Sequence, residues 1–333
     1  MPGKKTTMKD VAKLAGVTQP TVSYVLNGTA SISEEVKERV MRAVKELNYR
    51  PNYNAVALKR KKSDVVGIVI PDITNTFYSS MVRLLEKELN KMGYLVLISS
   101  TGYKEKVEEE ILNRFLDHNA EAFIIGYELG NQACWELLRD SGKQVVTIEA
   151  GSAGRAFTGI ETDNYSGACS AVRHLIDEGR RHIVYIGQTA GIEALVRREE
   201  GYIDAIRQYG HQAKPEIIRA DASDEKWEAG TKIGRLLAGD RDIDGILVSS
   251  DEIAVGIIKT LISSGVRIPQ DISVIGYDDI PLAKLYIPEL STVSQPLGTI
   301  CTKAAEILQT LFDGRNAETV TVEPELVLRN TTL

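Results

Sequence analysis

The sequence predicts an all-α head joined to a much larger α/β body whose parallel sheets are arranged in two lobes. Three observations predict it. Residues 7–47 carry three short helical patterns, separated by glycine and capping residues, with no strand pattern among them. From Asp64 onward, short β-branched runs alternate with amphipathic stretches, as in parallel sheets covered by helices. The charge changes sign at the same place: residues 1–62 hold 13 Lys and Arg against 5 Asp and Glu, and the rest holds 27 against 41. A basic head on an acidic body implies that the head alone meets a polyanion.

The bulk numbers bound the function. At 333 residues, a prior of about 100–200 residues per domain gives two or three units. No apolar run approaches the roughly 18 residues a membrane span needs, and the stretch Met1 to Thr7 lacks an apolar leader core, so a cytoplasmic protein is expected. Cys134, Cys169 and Cys301 are scattered without C-x-x-C spacing, and there are 4 His, so neither a metal site nor a disulfide framework is expected. No G-x-G-x-x-G follows the first strand and no G-x-x-x-x-G-K-[ST] occurs, so no cofactor is expected.

The head divides into elements with local causes. Thr7 is placed to cap the first helix, with Asp10 completing a capping box, and Val11, Leu14 and Ala15 form its apolar stripe. Gly16 stops it where φ turns positive. Thr18 caps the second helix, Pro20 occupies its first turn, and Asn27-Gly28 closes it. Ser33 caps a third helix whose Val36, Val40, Val44 and Leu47 recur at helical spacing. Two short helices at a sharp turn in a basic module are the geometry that places one helix in a DNA major groove; as bare pattern, they also fit any small bundle.

The head contains D-V-A-x-x-A-G-V-T-x-x-T-V-S-x-V-L-N, followed by E-L-x-Y-x-P-N. This resembles the lactose-repressor (LacI/GalR) family of bacterial transcription regulators. The resemblance implies a helix-turn-helix DNA-binding headpiece at 1–50, a hinge helix and basic linker at 51–63, and an effector-binding and dimerisation domain at 64–333. By the same likeness Gln19 and Pro20 begin the recognition helix, and Thr7, Thr18, Thr21, Ser23, Tyr24 and Asn27 lie at the DNA surface. Asn52, Ala55, Leu58 and Lys59 belong to the hinge, with Leu58 as a wedge between base pairs in the minor groove. Pro20 and Tyr24 depart from the family pattern, where many relatives have Arg or His at the second place, so the operator sequence does not carry over.

In the body, strand-like runs fall at Val65–Ile70, Tyr94–Ser99, Ala122–Gly126, Gln144–Ile148, His182–Ile186, Glu216–Arg219, Gly245–Ser249 and Ile272–Gly276. Eight runs exceed one ordinary sheet, so two lobes of four or five strands are expected. The first strand ends in Pro71-Asp72-Ile73-Thr74-Asn75-Thr76-Phe77-Tyr78, the P-D-I-x-N-x-F-[YF] that LacI-type bodies share with bacterial sugar receptors. The likeness implies a periplasmic-binding-protein-like (type I) body. Lobe one would be about 64–162 plus 293–322 and lobe two about 163–292 plus 323–333, with crossings near Thr162, Thr292 and Val322.

Ligands of such folds bind in the crevice at the carboxyl ends of strands. That rule selects Asp72, Asn75, Phe77 and Tyr78 after the first strand, Glu149 after the fourth, and Asp163 after the first crossing. It also selects Arg198 (in an R-x-x-G-Y match to the family), Ser250, Asp251 and Asp278. Carboxylates accept from sugar hydroxyls while an arginine fork donates to them. Relatives also stack an aromatic on the sugar after the strand that here is Glu216–Arg219. Here the nearest aromatic is Trp227, so either a shifted loop brings it in or the ligand is unstacked.

The expected function is a repressor of carbohydrate-metabolism genes. It binds a near-palindromic operator as a homodimer under control of a small-molecule effector, a sugar or sugar derivative. Met81 to Leu85 offers an apolar helix face for a partner, and no C-terminal leucine heptad argues for a tetramer. A transport-associated sugar receptor would fit the body alone, but not the basic head. A regulator answering to a protein corepressor is the further alternative. An enzyme would need a nucleophile, base or cofactor loop, and none assembles.

Overall fold

The computed structural model describes residues 6–27, 30–49, 63–151, 153–188, 192–209, 214–221, 225–240 and 242–333. The chain divides into two compact units, Met1–Ser63 and Asp64–Leu333. In the first, α1 (Met8–Ala15), α2 (Gln19–Asn27) and α3 (Glu34–Glu46) pack around Val11, Ala12, Ala15, Val22, Val40 and Ala43. Thr7 and Asp10 form the expected capping box, and Gly16 takes φ 65° at the end of α1. The Thr18 hydroxyl accepts from the Thr21 backbone N–H at 3.4 Å.

Two expectations for the head fail. Leu14 is 47% exposed, because an eight-residue helix centres its buried face on Val11, Ala12 and Ala15 and leaves Leu14 at the edge of that face. Ser33 stands at the N-cap of α3 without a side-chain capping bond.

Among the described residues the body holds two six-stranded sheets. The strands of the first are β1 (Val65–Ile70), β2 (Leu95–Ser100), β3 (Ala122–Ile125), β4 (Gln144–Ile148), β5 (Thr158–Thr162) and β11 (Val320–Val322), in the order β11-β5-β4-β3-β1-β2, all parallel. The second contains β6 (Ile183–Gln188), β7 (Glu216–Ala220), β8 (Gly245–Val248), β9 (Ser273–Tyr277), β10 (Ser291–Ser294) and β12 (Glu325–Val327), in the order β12-β10-β9-β8-β6-β7. In that sheet β12 alone runs antiparallel to its neighbour.

Helices cover both faces of each sheet. In lobe one α4 (Thr76–Lys91) and α12 (Leu297–Phe312) pack on Val66, Ile68 and Ile70, while α5 (Glu105–Asp117) and α6 (Gln132–Asp140) pack on Val69, Phe123 and Ile125. In lobe two α7 (Asn164–Asp177) and α8 (Glu193–Tyr209) pack on Tyr185, Leu247 and Ile275; α9 (Lys226–Leu237) and α10 (Asp251–Ser263) pack on Val184, Ile246 and Val274. Alternate residues of one strand thus serve opposite faces. The α9–α10 contact needs glycine: a Cβ at Gly230 would lie 2.2 Å from the Ile253 carbonyl oxygen, and one at Gly256 would lie 2.3 Å from that of Trp227.

The chain leaves the first sheet after Thr162, returns to it after Ser294, and enters the second again between Val322 and Glu325. Met81, Val82 and Leu85, expected to face a partner, are buried in the lobe-one core instead. Exposed apolar side chains include those of edge strand β2 (Leu95 63%, Ile98 43%) and those on and just beyond α11 (Pro281–Leu285), with Leu285 77% and Ile287 88% exposed; Leu236 and Leu333 are others.

Candidate functional site

In the head, α2 buries Val22 completely and half-buries Val25 and Leu26, which turns Gln19, Pro20 and Tyr24 to solvent. Thr7 and Thr18 are spent on caps, and the Thr18 and Thr21 hydroxyls bond each other at 2.8 Å. Ser23 lies half-buried on α2. Arg39, which the sequence reading passed over, reaches from α3 to the end of α1: its Nη2 donates to the Ala15 carbonyl at 2.6 Å and to that of Gly16 at 3.1 Å. A guanidinium on the last carbonyls of a helix satisfies orphan acceptors and opposes the helix dipole. It thereby fixes the turn that aims α2. Asn52, Ala55, Leu58 and Lys59 lie outside the described residues, as does the side chain of Asn27.

Between the lobes of the body, six residues close a ring of polar contacts. The Thr162 backbone N–H and Asn164 Nδ2 (2.9 Å) donate to opposite oxygens of Glu149. Arg198 Nε donates to Asn164 Oδ1 at 2.7 Å, and Arg198 Nη1 lies 3.4 Å from Asp278 Oδ1. Gln295 Nε2 donates to the same Asp278 oxygen at 2.7 Å, and Thr162 Oγ1 donates to Gln295 Oε1 at 3.1 Å. The ring includes both the chain's first crossing, at Thr162 to Asn164, and its return at Gln295. Arg198 is 6% exposed, donates to the Ser249 carbonyl at 2.7 Å, and rests its Cζ 3.6 Å from the centre of the Tyr277 ring.

Burial raises the pKa of Glu149 and Asp278; Thr162 and Arg198 pull the first back down, and Arg198 and Lys226 the second. Burial acts against the charge of Arg198, but Asp278, Tyr277 and Glu149 overcome it, and its pKa is raised. Glu149 and Asp278 adopt φ 53° and 108°, a left-handed backbone that costs of order 1–3 kcal/mol each for a side-chain-bearing residue. Such a cost persists only where surrounding bonds determine it.

Of the residues selected from sequence, the structure brings Glu149, Arg198 and Asp278 together. Tyr78 joins them from lobe one, hydrogen-bonded to Tyr103 and within the electrostatic reach of Asp278 and Arg198; burial raises its pKa well above the usual value. Ser250 stands at the N-cap of α10, 3% exposed, its hydroxyl without a partner among the described residues. Asp72 accepts from the Thr74 backbone N–H and hydroxyl in a local turn, and keeps electrostatic contact with Tyr103 and Glu252.

The remaining four are committed to the scaffold. Asn75 caps α4 through the Phe77 N–H, and Phe77 is lobe-one core. Asp163 caps α7 and binds Ser166. Asp251 is fully buried, with its oxygens taken by the Thr292 hydroxyl at 2.6 Å and the Ile280 N–H at 2.9 Å. An aspartate just after a strand finds a helix N-terminus or a neighbouring loop before it finds a ligand.

Family models match both units: one for bacterial regulatory proteins of the lacI family covers residues 7–52, and one for a periplasmic binding protein-like domain covers residues 172–332. The HTH-type transcriptional regulator GalR of Escherichia coli strain K12 is 31% identical, over 97% of this chain and 95% of its own length. The chain belongs to the LacI family. The ribose operon repressor of Halalkalibacterium halodurans is likewise 31% identical, over 98% of this chain and 97% of its own. A lac repressor dimer, solved bound to operator and the anti-inducer ONPF, matches 99% of this chain and 100% of its own at a TM-score of 0.87 and 24% identity, and so shares the fold. A CelR–cellobiose complex matches 98% and 99% at a TM-score of 0.71 and 26% identity.

This LacI-family chain is therefore a helix-turn-helix transcriptional regulator with a two-lobed body. Sequence reasoning missed Asn164, Gln295, Thr162, Tyr103 and Glu252. Gln295 follows a strand, as did the residues selected, but β10 reads Ser-Thr-Val-Ser and gives no strand signal from which to count. Trp227 stands 54% exposed in the first turn of α9.

Proposed function

We propose that this regulator is a homodimeric repressor of carbohydrate-metabolism genes, released from or fixed to a near-palindromic operator by a sugar-like effector held between its lobes. One observation carries the reading. A helix pair that turns Gln19, Pro20 and Tyr24 to solvent shares a chain with a crevice whose ring joins a buried arginine and carboxylate to two lobe crossings. Arg198, Asp278 and Tyr78 contact the effector, and Glu149 braces them. Gln19 and Tyr24 face base edges, where Gln pairs with adenine and Tyr donates a hydrogen bond or packs.

The relatives support the two halves separately: one is named a ribose operon repressor, and one structure is a cellobiose complex. The exposed apolar side chains of β2, α11 and Ile287 support a second copy of the chain as partner. A pair of copies is also what a near-palindromic operator requires. Acting on chromosomal DNA, the protein works in the cytoplasm. Its crevice binds without turnover, and leucine at 58 enters the minor groove.

Selection of a duplex from a random pool, followed by gel shift, tests the whole reading. The expected outcome is a selected site with two half-sites about one helical turn apart, binding that weakens with salt, and at least tenfold weaker binding by Leu58→Ala. Failure of the full chain to enrich any sequence refutes it.

A further inference from the structure

Anionic ligands of doubly wound folds bind where helix N-termini open at the carboxyl edge of a sheet, because free N–H groups and the helix dipole meet them there. At α4, α7 and α8 those positions carry the protein's own polar and acidic groups. The first turn of α4 gives its Thr76 N–H to Glu252, from the other lobe, and its Phe77 N–H to Asn75. The first N–H of α8 goes to Glu128, again across the lobes, at 2.9 Å. That of Ser166 in α7 goes to Asp163 at 3.0 Å. The first turn of α10 carries Asp251 and Glu252 themselves.

The charges along the crevice agree. Glu149, Glu252 and Asp278 interact there with Arg198 and Lys226, Asp72 adds its charge beside Glu252, and Arg155 is paired with Glu193 across the lobes at 2.8 Å. Lys226 pairs with Glu252 at 3.7 Å. Arg198 is occupied at Nε and Nη1 and compensated by Asp278. What remains for a ligand is suited to hydroxyls: Arg198 Nη2 and the buried hydroxyls of Ser249 and Ser250 at 0% and 3% exposure, none of which has a hydrogen-bond partner among the described residues.

We propose that the crevice rejects anions, so that the effector is an uncharged or amino-bearing polyol and not a phosphorylated or carboxylated one. The inference rests on the reading of the crevice as an effector site and adds the charge class. Discrimination arises from repulsion built into the site as much as from attraction. A phosphate brings about two negative charges at neutral pH into a region with carboxylates on both lobes, where the first turns of α4, α7 and α8 already serve acceptors of the protein's own.

The test uses the full chain and calorimetric titration with D-glucose, D-galactose, D-ribose and cellobiose. It includes the monophosphates of the three monosaccharides and the 2-amino-2-deoxy forms of the two hexoses. For each neutral sugar that binds, its monophosphate should bind about 100-fold more weakly or worse, and its amino form within about tenfold or tighter. Glu252→Gln keeps an acceptor for the Thr76 N–H while removing a charge, and should narrow the neutral-to-phosphate ratio at least about fivefold. A monophosphate that binds as well as its parent, an amino sugar bound more than tenfold more weakly, or an unchanged ratio in Glu252→Gln overturns the proposal while leaving an effector site in place. If no member of the panel binds, the effector reading falls, and this inference with it.

Discussion

Asp251 shows how far a residue's type and position can mislead about its task. It follows a strand beside a crevice, yet its two oxygens are taken by Thr292 and Ile280, and a Cβ at Gly276 would come within 2.1 Å of one of them. Its work is to hold the loop that presents Asp278. The expense is electrostatic: burial, then Asp278, hold its pKa well above the usual value near 3.8. The folded state therefore binds this proton more tightly than the unfolded chain. The contribution to stability is full at low pH and is lost as pH rises from about 4 through the raised folded value. Asn at 251 imitates the protonated acid, although its amide turns a donor toward one of two donors. The penalty of Asp251→Asn in urea unfolding should thus be largest near pH 4 and shrink steadily toward pH 8. A penalty constant across that range would refute a buried, charge-bearing Asp251.

Among elements, the turn between α1 and α2 depends most clearly on a distant side chain. Gly16 supplies the positive φ, and a Cβ there would meet Arg39 Nη2 at 2.9 Å. Arg39 in turn holds the Ala15 and Gly16 carbonyls from α3. Bonds to a charged donor contribute about 1.5–3 kcal/mol when shielded, and less here because Arg39 is exposed. Arg39→Ala should cost the head about 1 kcal/mol and weaken operator binding several-fold, with the melting of the body unchanged. Gel shift and thermal melting of the full chain check both halves.

The same scale shows what the sequence displayed. β1 and β4 were legible to the residue, because buried parallel strands are unbroken β-branched runs. β5, β10, β11 and β12 were not: they are short or rich in Thr, Ser and Glu, and they hold their places through sheet neighbours distant in sequence. The capping box at Thr7 and the turn at Gly16 were legible because each is local. Leu14 misled because its hydrophobicity could not reveal which side an eight-residue helix would bury. At the site, Arg198 stood out by its match to the family's R-x-x-G-Y and Asp278 by its place after a strand. Their braces Asn164 and Gln295 did not, since each amide bonds side chains distant in sequence, Asn164 to Arg198 and Gln295 to Thr162, and leaves no local pattern.

At the scale of the molecule, effector and operator can be coupled only through an element that both states hold differently. The polar ring is the candidate, since it contains the proposed effector contacts Arg198 and Asp278 as well as segments where the chain passes between lobes. Gln295, 5% exposed, is its narrowest link, bridging Thr162 of one crossing to Asp278. Gln295→Met keeps the volume and removes both bonds, so the fold should survive while Asp278 loses the brace that holds its left-handed backbone. Effector affinity should fall about tenfold. The factor by which saturating effector changes operator affinity should shrink toward one, from a starting range of about 5–150-fold. Linkage then requires that operator DNA change effector affinity by the same reduced factor. Measuring both legs separates a damaged pocket from a damaged connection: weaker effector binding with an intact coupling factor would leave Gln295 a ligand brace only and remove the ring from the path between the two sites.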